Sequence, residues 1–117
     1  MKILVAEDEP LMRKTLEMKL TKDGHQVIPC ADGKEALEKL ISEQPDMVVT
    51  DIMLPFASGL EIIGVIKKLD KPIPVIVLSA LGQEKTVEEA FNLGADDYIT
   101  KPFSLNELSI RVRKLSR

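Results

Sequence analysis

The chain has no tryptophan, one tyrosine (Tyr98), one cysteine (Cys30) and one histidine (His25) in 117 residues. A lone cysteine excludes an internal disulfide, and with a single histidine beside it there is no zinc-ligand set. Positive charge is not in excess: 16 Lys and Arg stand against 19 Asp and Glu, for a net charge of -3. The modest basic group Arg111, Arg113, Lys114 and Arg117 reads as a solvated helix face rather than a nucleic-acid surface. No apolar run reaches membrane-spanning length, and Ile3-Leu4-Val5-Ala6 is too short for a signal-peptide core. The expectation is a cytoplasmic protein with no membrane contact.

What is present is an ordinary globular composition, 44% hydrophobic and 30% charged, long enough for one cored domain over residues 1–117. Short apolar runs alternate with helical patterns. Residues 3–6, 25–30, 47–50, 74–78 and 98–100 read as strands, the second at a sheet edge because Pro29 cannot donate to a ladder. Between them, Pro10 suits a first helical turn, with Met12, Leu16 and Leu20 following at helical spacing. Asp32-Gly33-Lys34-Glu35, Ser58-Gly59-Leu60-Glu61 and Ser104-Leu105-Asn106-Glu107 have the form of capping boxes. The stripes behind them are Ala36, Leu37, Leu40 and Ile41, then Ile62, Ile63, Ile66 and Leu69, and last Leu105, Leu108, Val112 and Leu115. Residues 83–93 form a weaker helix stopped by Gly94. Five strands alternating with five helices predict an α/β fold, a flavodoxin-like (βα)5 three-layer sandwich with parallel sheet order 2-1-3-4-5.

In such a sheet, ligands bind beyond the carboxyl ends of the strands. There the sequence places Glu7 and Asp8 after strand one, Asp51 after strand three, Ser79 after strand four and Lys101 after strand five. Three converging carboxylates repel one another, and a divalent cation resolves the conflict. Few hard oxygen ligands, with room for water and phosphate oxygens, suit Mg²⁺ better than Ca²⁺. Carboxylates, Mg²⁺, a lysine and a hydroxyl make a phosphoryl-transfer site, in which a carboxylate can itself accept the group as an acyl phosphate. Taken singly, Asp8 could merely favour the first helix N-terminus and Ser79 could be a turn residue; their joint placement on one rim favours function.

At these residues the chain resembles the CheY-like receiver domain of bacterial two-component response regulators. The carriers are Glu7-Asp8, Asp51-Ile52-Met53-Leu54-Pro55 with Gly59, Ser79-Ala80, and the run from Gly94-Ala95-Asp96-Asp97-Tyr98 to Lys101-Pro102-Phe103. The resemblance implies that Asp51 accepts a phosphoryl group from a sensor histidine kinase. It implies that Asp8, Asp51 and the Met53 backbone carbonyl ligate Mg²⁺, with Glu7 acting through a water. Lys101 would pair with the phosphoryl oxygens, across a cis Lys101–Pro102 bond. Ser79 and Tyr98 would form the switch, Ser79 moving toward the phosphoryl group and Tyr98 turning inward behind it. Met53 and Leu81 occupy positions that tune attack by water; both are apolar, which predicts slow loss of the phosphoryl group.

Asp96, Asp97, Glu107 and Arg111 resemble the winged-helix transcription-factor subfamily (OmpR/PhoB-like). There, phosphorylated domains dimerise through helix four, strand five and helix five. Asp96, Asp97 and Arg111 would supply one set of charges, while Glu107 lacks its usual basic partner because Val87 stands at that position. Output would then be transcription, through a DNA-binding domain absent from this chain. The alternative is a stand-alone receiver acting by protein–protein contact. Two rivals fit less well. A flavodoxin-type FMN carrier would not place Glu7-Asp8-Glu9 where its phosphate binds, and has too few aromatics here to stack a flavin. A haloacid-dehalogenase-like phosphohydrolase needs a second Asp two positions after the first, where this chain has Met53.

Overall fold

Apolar runs covered on both faces become the central strands of a parallel sheet, and the computed structural model describes them within residues 1–80 and 82–116. Leu81 and Arg117, both used above, lie outside the described residues. Five strands, β1 (Lys2–Ala6), β2 (Gln26–Cys30), β3 (Met47–Asp51), β4 (Val75–Ser79) and β5 (Asp97–Thr100), alternate with five helices. The helices are α1 (Pro10–Lys22), α2 (Gly33–Glu43), α3 (Gly59–Lys67), α4 (Glu84–Leu93) and α5 (Leu105–Leu115). All strand pairs are parallel, in the order β2-β1-β3-β4-β5, which is the expected flavodoxin-like fold.

Successive strand residues point to opposite faces, and the core divides accordingly. Leu4, Ala6, Val48, Val75 and Val77 pack with Ala36, Leu40, Ile62, Ile63 and Ile66 under α2, α3 and α4. Ile3, Val5, Val49, Ile76 and Leu78 pack with Leu16, Leu20, Leu108 and Val112 under α1 and α5. Every residue of β3 and β4 is buried, whereas β2 and β5 alternate as edge strands do.

Three capping residues act as expected. Asp32, Ser58 and Ser104 accept hydrogen bonds from the backbone N–H of Glu35, Glu61 and Glu107. The first helix differs: its cap is Glu9, whose carboxylate accepts from the N–H groups of Leu11 and Met12. Ile41, expected inward, is 61% exposed. It follows Leu40 by roughly 100° of helical rotation, which carries it off the buried stripe near the end of α2.

Candidate functional site

The strand termini set the site. β3 runs one residue further than its apolar run suggested, so Asp51 is the last residue of the strand. It lies level with Leu78 of β4, and Ser79 is one residue beyond, opposite Thr100 of β5. Glu7 and Asp8 follow β1 directly. Carboxylate oxygens of Glu7, Asp8 and Asp51 all lie within 4.8 Å of one another. Lys101, just past β5, donates from Nζ to Glu7 Oε1 at 2.7 Å and to Asp51 Oδ2 at 2.8 Å. Lys101 and Pro102 are joined by a cis peptide bond.

Because Glu9 caps α1, Asp8 is not spent on the helix terminus and stands exposed at the acidic group. The turn bearing the two acids is held from two sides. The Glu9 N–H donates to Glu7 Oε2 at 3.1 Å. Arg13 Nη1 donates to the Glu7 and Asp8 carbonyls at 3.0 and 3.4 Å. Nothing in the sequence pattern singled out Arg13; only its position on the first full turn of α1 brings it back over the strand tip.

Two glycines let the loop after Asp51 pack tightly. The Gly59 N–H donates to the Ile52 carbonyl at 2.8 Å, and a Cβ at Gly59 would run into the Asp51 carbonyl oxygen. The Gly33 N–H donates to the Pro55 carbonyl at 3.0 Å, and a Cβ there would overlap the Ala57 carbonyl. Between them, Phe56 adopts a left-handed backbone, φ 71°, a conformation that disfavours any side chain by about 1–2 kcal/mol.

The charges are unequal in environment. Burial raises the affinity of Glu7 for a proton, and this outweighs the lowering by the Lys101 hydrogen bond and the Glu9 N–H. Burial works against the Lys101 charge as well, but its hydrogen bonds to Asp51 and Glu7 prevail and hold the ammonium above its usual range. One lysine thus serves two buried carboxylates, and the more deeply buried Glu7 remains under-compensated. Oxygen donors alone, gathered this closely with a compensation deficit, fit a divalent hard cation.

Of the other expected residues, Ser79 is buried at the rim, and Met53 is in the loop after Asp51 with its side chain 61% exposed. Tyr98 is not brought to the rim. It lies level with Val77, two residues short of Ser79, is 41% exposed, and meets Phe91 edge-on at 5.6 Å between ring centroids. A cleft of about 530 Å³ leads from Ser79 and Thr100 to Phe91 and Tyr98. The charges expected to serve a dimer are paired within the chain. Arg111 binds Asp97 at 2.6 Å and Glu107 at 3.3 Å, so Glu107 finds its cation one turn along its own helix. Asp96 accepts from the Val75 N–H at 2.8 Å and lies 3.6 Å from Lys67. His25 stands at the opposite end of the sheet, beside the N-terminal ammonium at 3.4 Å. Burial pushes the Cys30 thiol up to about 12, which leaves it unreactive.

No helix among the described residues is long and apolar enough to cross a membrane. The family described as response regulator receiver domain matches residues 3–113. Response regulator RR06 of Streptococcus pneumoniae is 46% identical over 117 residues, all of this chain and 54% of that protein. The alkaline phosphatase synthesis transcriptional regulatory protein PhoP of Bacillus subtilis is 40% identical over 116 residues, 99% of this chain and 48% of that protein. The chain thus spans about half the length of these curated relatives. Among solved structures, the receiver domain of the Francisella response regulator 1452 superposes with a TM-score of 0.89 at 38% identity, covering 97% of this chain and 94% of that one.

Proposed function

Since this chain belongs to the response regulator receiver domain family, we propose that it is a phosphorylation-dependent signalling switch whose acceptor is Asp51. The observation that carries the reading is the Lys101 ammonium, within hydrogen-bond distance of both Asp51 and Glu7 at the point where three carboxylates converge. Such a cluster is poorly suited to being a mere structural feature, because like charges brought together destabilise the fold.

The donor is a phosphohistidine on a sensor histidine kinase. A carboxylate oxygen of Asp51 attacks phosphorus as the P–N bond breaks, and the imidazole leaves with the electron pair and takes up a proton. The product is an acyl phosphate. Lys101, already 2.8 Å from Asp51, turns its ammonium to the phosphoryl oxygens, and the Ser79 hydroxyl donates to another. Mg²⁺, held by Asp8, Asp51 and the Met53 carbonyl with Glu7 through a water, would supply neutralisation of the charge on the transferred group. Met53 is apolar and offers no group to orient a hydrolytic water, so the acyl phosphate decays slowly.

Signal output is a shift of the α4–β5–α5 face, with Ser79 drawn to the phosphoryl group and Tyr98 turning into the cleft. The similarity to PhoP, a transcriptional regulatory protein, supports an output through a DNA-binding domain, and dimerisation would exchange the internal pairs of Asp96, Asp97 and Arg111 for pairs across two chains. The test is mass spectrometry after incubation with acetyl phosphate and Mg²⁺. One added phosphoryl group is expected, absent in Asp51→Asn. No mass shift, or one that survives the substitution, overturns the reading.

A further inference from the structure

The three carboxylates of the acidic group are not held alike. Glu7 is fully buried and accepts from Lys101 Nζ and from the Glu9 N–H. Asp51 ends a paired strand, level with Leu78, and also accepts from Lys101. Asp8 is exposed, in a turn of three consecutive acids, and what fixes it is its backbone. Arg13 Nη1 donates to the Glu7 carbonyl at 3.0 Å and, more weakly, to the Asp8 carbonyl at 3.4 Å. Arg13 is itself anchored, because its N–H donates to the Glu9 carbonyl at 2.9 Å. An arginine beside carboxylates ordinarily takes one of them as a bidentate partner. Glu7, Asp8 and Glu9 share this turn, yet among the described residues the Arg13 guanidinium pairs with none of them. Glu9 is spent on the cap of α1 and Glu7 on Lys101. The Asp8 carboxylate is left to a cation from solution, while its main chain is clamped.

We infer that Arg13 is a positioning residue for this cation. It touches no reacting atom; by clamping the Glu7 and Asp8 carbonyls it keeps the Asp8 carboxylate turned toward Asp51. The inference rests on the proposed reading of Glu7, Asp8 and Asp51 as the Mg²⁺ site. Groups that orient metal ligands typically contribute about 10–100-fold in metal affinity. Charge acts in the opposite sense. A guanidinium beside the site repels Mg²⁺, so removing an Arg13 that served only as a charge would tighten binding. Removing a clamp weakens it, and the two roles differ in sign.

The experiment measures the Mg²⁺ Kd of wild type, Arg13→Met, Arg13→Lys and Lys14→Met from the rise of urea stability with Mg²⁺ concentration. The buffer holds about 1 M KCl, which screens charges beyond about 3 Å. Lys14 is the next residue of α1 and its ammonium stands beside Glu17, so Lys14→Met removes the same charge without touching the clamp. Arg13→Met should raise Kd about tenfold or more. Arg13→Lys, which keeps the charge and one donor, should raise it less, and Lys14→Met should stay within about twofold of wild type. Labelling by acetyl phosphate gives a second readout. In Arg13→Met the half-saturating Mg²⁺ concentration should rise by the same factor as Kd, while the rate at saturating Mg²⁺ stays within about twofold of wild type. An unchanged or lower Kd in Arg13→Met overturns the proposal, as does an equal rise in Lys14→Met. A lower saturated rate with unchanged half-saturation also overturns it, since that is the mark of a merely structural role. A wild type that Mg²⁺ fails to stabilise overturns both the cation site and this inference. A wild type that Mg²⁺ stabilises but acetyl phosphate never labels overturns the acceptor reading alone, and the Kd comparison still decides the role of Arg13.

Discussion

Glu7 is a buried carboxylate that shares the Lys101 ammonium with Asp51. Burial, the largest influence on it, raises its pKa above the usual 4.5. Below about that pH it is protonated whether the chain is folded or not, and the stability that it contributes as a neutral buried group is fully present. That contribution is lost as pH rises through its raised folded value. Glu7→Gln removes the charge and keeps one acceptor oxygen, enough for Lys101 or the Glu9 N–H but not both. In urea melts without metal, the variant should match wild type near pH 4.5 and exceed it increasingly toward pH 7.5, by about 1 kcal/mol or more. Mg²⁺ should restore wild type and do little for the variant. A difference that stays flat with pH would show that Lys101 already compensates Glu7 in full. At this scale the sequence was a good guide to which charges meet, because strand tips in a parallel sheet converge whatever the packing details. It was silent on Phe56, because phenylalanine is a residue type that argues against a positive φ, and on Arg13, whose role depends on where α1 starts.

The loop after Asp51 depends on how closely α3 approaches the tip of β3. The Gly59 N–H bonds the Ile52 carbonyl, and the space for a Cβ is filled by the Asp51 carbonyl. Gly64 is in the same helix, with nothing within 4 Å of where its Cβ would stand. The two alanine substitutions should therefore act in opposite directions. Gly64→Ala should stabilise the protein by about 0.5–1 kcal/mol through helix propensity, with acetyl phosphate labelling unchanged. Gly59→Ala should destabilise it by about 1–3 kcal/mol, as overpacking does, and slow labelling by displacing Asp51. Equal effects in denaturant melts would mean that the approach of α3 to β3 is adaptable. Elements were legible in proportion to their local chemistry. Asp32, Ser58 and Ser104 cap where their spacing to Glu35, Glu61 and Glu107 said they would. The cap of α1 was not legible, since glutamate is a poor capping type and Asp8 beside it is a good one. Strand ends moved by a residue, as at Asp51, because ladder pairing with a neighbour extends a strand past its apolar run.

At the scale of the whole molecule, the order β2-β1-β3-β4-β5 puts the acidic rim over β1 and β3 and places Tyr98 on the far edge, beside α4. The order could be anticipated from strand hydrophobicity and the edge proline Pro29; the side-chain state of Tyr98 could not, since nothing local prefers outward to inward. On the proposed reading the signal would pass from Asp51 through Ser79 to that edge, where Ser79, Thr100, Phe91 and Tyr98 line one cleft. Tyr98 is the only tyrosine and there is no tryptophan, so ultraviolet emission reports this one ring without labelling. Acetyl phosphate with Mg²⁺ should reduce acrylamide quenching of that emission, because the ring leaves its 41% exposed position. Asp51→Asn should show no change, and Ser79→Ala should be phosphorylated yet show a smaller one. Unaltered quenching in protein that mass spectrometry finds fully phosphorylated would exclude the tyrosine from the switch. The energetics locate the control. Moving a population from 1:99 to 99:1 takes about 5.5 kcal/mol, whereas an edge-on aromatic pair such as Phe91 with Tyr98 contributes about 0.5–1.5 kcal/mol. Releasing the ring from Phe91 is therefore not enough to set the proposed switch; most of the bias would originate in a phosphoryl dianion at Asp51 and its capture of Lys101 and Ser79.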